Sequence, residues 1–176
     1  MTVSNSQNPG PEGHVLGRNA LARETLLAAN VNPKTGLATD YLNHFNEVVM
    51  LMEMLPDMPD CAEDVLDWAP CDYCSHFEKS GLKDIDVVIL AYNAVPREIK
   101  AHFETLILQI DSAVVQAQSL LRGEVTDEIT QQVAHLASED IKPLIVAASG
   151  AINGSEESEE DYVDESVQAE VDALFD

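Results

Sequence analysis

Basic residues are scarce in this sequence: nine Lys or Arg stand against 32 Asp or Glu, for a net charge of −23. Such a surface repels phosphate backbones and anionic headgroups, so nucleic acid and membrane are poor partners and a basic or locally basic protein is a better one. Aromatics are few as well, 5% of 176 residues, so a core of this size has to rest mainly on aliphatic side chains. Long hydrophobic runs are missing, and a stretch such as "LIVAASGAI" is too short to span a bilayer. The opening "MTVSNSQNPGPEGH" lacks the basic and apolar regions of a signal peptide, so the expected location is cytoplasmic. Three cysteines, an odd number without an export signal, argue against a disulfide framework and for reduced thiols.

What is present is helical periodicity. Residues 1–36 read as a mobile N-terminal segment with a short helix over Arg18–Ala29. The stretch "DYLNHFNEVVMLMEML" behind Thr39 carries Leu42, Phe45, Val49 and Met52 at helical spacing. Short helices are expected over "CAEDVLDW", "CDYCSHFEKSG" and "KDIDVVILAYNAV", punctuated by Pro70, Gly81 and Pro96. From Pro96 to Gly123 no breaker occurs, and Ile99, Phe103, Leu106, Ile110, Val114, Ala117 and Leu121 form one apolar stripe. Thr126 is placed to cap "DEITQQVAHLA", and a further helix is expected after a break at Ser138. No alternating strand pattern occurs. The predicted fold class is all-α, an antiparallel bundle of four or five helices over 37–152, with an acidic linker at 153–165 and a docking helix at 166–176. The length of the Pro96 helix leaves room for a homodimer.

The last ten residues, "VQAEVDALFD", follow a stretch too rich in Gly, Ser, Glu and Asp to bury a core. Val167, Val171 and Leu174 recur at i, i+4 and i+7 with Phe175 beside them, an amphipathic helix too short to hold in water without a surface to cover its stripe. That surface is either the chain's own domain or a partner's groove. The peptide resembles the docking motif "SQAEIDALL" of the flagellar motor switch protein FliM, which binds the phosphorylated response regulator CheY. Gln168, Ala169, Glu170, Asp172, Ala173 and Leu174 are identical to it, and Val171 and Phe175 are conservative changes. The motif's first Ser is Val167 here, with Ser166 one place early, so its N-cap is displaced. The order of helices, linker and peptide is similar to that of the chemotaxis phosphatase CheZ. The resemblance implies a CheY-type response regulator as partner, with magnesium in the partner's site and no cofactor in this chain.

A CheZ-like phosphatase would need an amide to orient water and an acid to engage the regulator's lysine, because positioning dominates phosphoryl transfer. In that family an Asp and a Gln lie four residues apart, and Asp127 and Gln131 match the spacing. The pair also reads as a helix-start acid favoured by the dipole plus a solvated Gln. A second choice, Asn43 and Glu47, shares a stripe with Asp40 and His44, which also reads as the solvent side of its helix. Cys61, Cys71, Cys74 and His76 offer the ligand types of a structural zinc site, and equally those of small buried side chains. Two further functional classes stay open: a non-enzymatic helical adaptor or phosphate sink, and a small zinc-stabilised helical domain.

Overall fold

The computed structural model describes residues 14–154, so the docking helix expected at 166–176 and the acidic linker expected before it lie outside the described residues but for Asn153 and Gly154. The described chain is helical throughout its regular structure, without a strand. Its frame is a pair of long rods. Helix α6 (Arg97–Leu121) would measure about 37 Å at 1.5 Å per residue. It buries Phe103, Leu106, Ile110, Val114, Ala117 and Leu121 of the expected stripe, widened by Ile107 and Gln118.

The second rod returns alongside it. Thr126 accepts the Ile129 N–H at 3.2 Å and opens α7 (Asp127–Leu136). The break expected at Ser138 does not occur: a π-helical turn over Ala137–Ile141 carries the backbone directly into α8 (Lys142–Asn153). Pro143 supplies a reason for the wider turn. Its ring has no N–H to donate and would press on the Glu139 carbonyl in a regular α-helix. Asn153 is still helical, and Gly154 closes α8 at φ +72°, the left-handed geometry of a helix stop.

A 3₁₀ turn (Thr39–Leu42) leads into α2 (Asn43–Met54), which packs Phe45, Val48, Val49 and Met52 into the core. Its register against the second rod is fixed by Glu53, whose Oε1 accepts from Ser138 Oγ at 3.0 Å and from Lys142 Nζ at 2.5 Å. Next come α3 (Ala62–Asp67), α4 (Tyr73–Ser80) and α5 (Ile85–Asn93). At the end of α3 Val65 O accepts the Trp68 N–H, and Gln118 reaches across from α6 to add a second donor there and one to Trp68 O. Its Nε2 donates to Val65 O at 2.9 Å and Trp68 O at 2.6 Å. At the start of α4 the Asp72 carboxylate accepts the Ser75 N–H at 2.9 Å, and Gly81 ends the helix at φ +72°. These short helices raise the number above the four or five expected.

The packed unit also reaches further towards the N-terminus than the boundary at residue 37. Between a 3₁₀ turn (Asn19–Leu21), helix α1 (Arg23–Ala28) and the following loop, Leu21, Leu26 and Val31 are buried in the main core. Thr35 Oγ1 donates to Ile152 O at 2.6 Å and accepts the Leu37 N–H, which pins the loop to the end of α8. Gly36, at φ +82°, lies so close to α5 that an added Cβ would sit 2.9 Å from Ala91 O.

Candidate functional site

The sequence-predicted pairs are accessible. Asp127 and Gln131 are exposed one turn apart on α7, and Asn43 and Glu47 are exposed one turn apart on α2. Asn43 and Glu47 belong to α2 and Asp127 and Gln131 to α7, and these two helices pack against each other. Asn43 and Glu47 do not form a polar stripe with their neighbours. His44 turns inward to stack on Trp68 at 4.6 Å, and Asp40 accepts from Asn30 Nδ2 at 3.1 Å.

The four candidate zinc ligands are not brought together: no group of three or more His, Cys, Asp or Glu is placed to share a metal among the described residues. Cys74 and His76 lie two positions apart on α4, about 200° round the helix. His76 packs its ring on Phe77 and Tyr41, while Cys61 is buried at the start of α3. Burial also pushes the Cys74 thiol up, with Asp72 adding to it, which disfavours the thiolate a metal would need.

A different site emerges from the aromatics. Every Phe, Tyr and Trp among the described residues joins one connected cluster with His44 and His76. Part of that cluster walls a cavity of about 320 Å³ between the 3₁₀ turn, the loop before α4, α5 and α6. Its floor is Tyr41, Tyr73 and Phe103, each at most 3% exposed, and its rim carries Asp72, Glu104 and Leu108. The three phenol groups are all engaged. Tyr41 donates to Cys71 O at 2.5 Å, Tyr73 accepts the Ala38 N–H at 2.8 Å, and Tyr92 donates to Glu104 Oε1 at 2.6 Å. Burial, then the nearby Asp111 for Tyr41 and Glu104 for Tyr92, raises these phenols well above their usual range, so they act as neutral groups.

No family model, curated protein or solved structure matches the chain. Its chemistry therefore has to be read from the cavity's own atoms.

The most informative of them belong to Asp111. Its Oδ1 is buried without a hydrogen-bond partner, and desolvation raises the carboxyl to about 6. On the far side of the cluster, burial and then its neighbour His76 lower His44, and burial lowers His76, so both imidazoles favour the neutral form. Sequence reasoning missed this site because each contributor is unremarkable alone: four aromatics from four separate elements, and one acid within a long amphipathic helix. A signal did exist in α6. Asp111 follows Ile107 by four residues and precedes Gln118 by seven, so it lies on the edge of the buried face rather than opposite it.

Proposed function

We propose that this chain is a chemotaxis or motility regulator, built as an antiparallel helical bundle and working in the cytoplasm, that docks a phosphorylated CheY-type response regulator through Val167–Phe175. The observation that carries the reading is the peptide itself: Gln168, Ala169, Glu170, Asp172, Ala173 and Leu174 coincide with a docking motif. Val171, Leu174 and Phe175 would fill the partner's groove, while the acidic residues meet a basic rim and raise the association rate. The acidity of the whole chain works in the same direction. The absence of a helix long and apolar enough to cross a membrane among the described residues is compatible with this role.

The proposed action on the regulator is accelerated loss of its aspartyl phosphate. Gln131 would orient the attacking water and Asp127 would engage the regulator's lysine, with magnesium held by the regulator. Their exposure on one turn of α7, behind a Thr126 cap that fixes the backbone, supports this assignment. The rival action is sequestration without chemistry. To separate them, phosphate loss from a phosphorylated CheY-type protein is followed with the intact chain, with a chain cut after Gly154, and with Gln131→Ala. The phosphatase reading expects faster loss with the intact chain alone. An unchanged rate with retained binding makes the protein a sink, and equal binding by intact and cut chains removes the docking assignment.

A further inference from the structure

The cavity beside Asp111 has a chemistry of its own. We infer that it is a binding site for an alkylammonium ion, most fittingly a linear diammonium, whose one ammonium pairs with Asp111 while the other reaches Glu104. The walls limit what can enter. Two carboxylates on one helix face, together with Asp72 at the rim, exclude anions. The space between Glu104 and Asp111 is apolar, formed by Ile107, Leu108 and Phe103, so it suits methylene groups rather than a compact metal ion. Seven residues separate the two acids, about 10 Å along the helix, which matches an aliphatic chain with an ammonium at each end.

Asp111 supplies the strongest argument. Asp111 lines the cavity while its Oδ1 is buried without a donor, so the carboxylate is short of hydrogen bonds, and an ammonium at its accessible oxygen would supply the missing partner. Burial raises its pKa to about 6, so at pH 8 it is ionised and carries the charge an ammonium would pair with. The protein already accommodates this ligand type on the same wall. Lys100 places its own ammonium 4.1 Å from the centroid of Tyr92, whose ring stacks on Tyr73 at 4.4 Å. At about 320 Å³ the space is at the small end for ligand sites, adequate for a chain of several methylenes and too small for a nucleotide-sized molecule.

Calorimetric titration of the full chain at pH 8 and moderate salt tests the assignment, with cadaverine and n-pentylamine as ligands and 1,5-pentanediol as the neutral control. One-to-one binding is expected for both amines, tighter for the diamine, and none for the diol. Asp111→Asn keeps the shape and should weaken both amines at least tenfold. Glu104→Gln, on the exposed rim, should remove the diamine's advantage while leaving n-pentylamine unchanged. Glu139→Gln, an exposed acid outside the cavity, should bind like the parent. No binding by either amine overturns the site. So does an Asp111→Asn chain that binds as tightly as the parent, or a Glu139→Gln loss as large as that of Asp111→Asn, since diffuse attraction to an acidic surface would then account for the signal.

Discussion

Asp111 links stability to pH with a sign opposite to that of an ordinary surface acid. Its folded-state pKa of about 6 stands above the unfolded value near 3.8. The protonated form is thus the one that folding favours, and its contribution is complete below pH 4 and lost as pH rises through 6. Asp111→Asn should therefore stabilise the chain at pH 8 by on the order of 1 kcal/mol, a figure discounted for the half-exposed carboxyl, and by nothing near pH 4. Paired denaturant curves at the two pH values check this, and an equal effect at both would disprove it. His44 and His76 pull the other way. Their lowered values mean that neutral imidazole stabilises the fold above pH 6.5, with the contribution fading as pH falls through that value towards the folded ones.

Among elements, α3 is a single short helix of six residues and depends on its neighbours for its end. Gln118 donates to two of its terminal carbonyls from a position 4% exposed. Replacement by Leu keeps the bulk but takes the donor from Trp68 O, while Val65 O keeps the Trp68 N–H at 3.3 Å, for an expected loss of about 1–3 kcal/mol in chemical denaturation. A loss within about 0.5 kcal/mol would mean that water takes over the amide's role. The elements that sequence periodicity foretold best are those with an uninterrupted stripe, α2 and α6, because 3.6-residue recurrence directly records which face is buried. Stops at Gly81 and Gly154 and caps at Asp72 and Thr126 were equally open to sequence reasoning, since each follows from local backbone chemistry. Two things were not. The π-turn at Ala137–Ile141 looks like a polar interruption in one dimension, whereas in the fold Ala137 and Ile141 are packed into the core. The cavity likewise depends on side chains far apart in sequence, from Tyr41 to Asp111, which no local pattern brings together.

At the scale of the whole molecule, scarcity and position combine. A chain with few aromatics gathers every described one into a single cluster reaching from Phe103 to Trp68, while α8 buries only aliphatic residues, Ile145, Ala148, Ala151 and Ile152. The continuous rod from Asp127 to Asn153 has a second consequence, best put in terms of reach. It holds Asp127 and Gln131 at one end and Gly154 at the other, roughly 40 Å apart. The sequence between Gly154 and the docking peptide has a contour of about 40 Å, while a flexible chain of that length spans only about 20 Å on average. If a regulator docks on the tail as proposed, it would start at the far end from its own chain's Gln131, whereas a neighbouring chain lying in the opposite sense would bring a Gln131 within range. Under the proposed function, phosphate loss per chain should rise with chain concentration. Inserting about ten Gly and Ser residues after Gly154 should weaken that dependence by letting each tail serve its own rod. A per-chain rate indifferent to both changes would show that the rod does not act as a spacer.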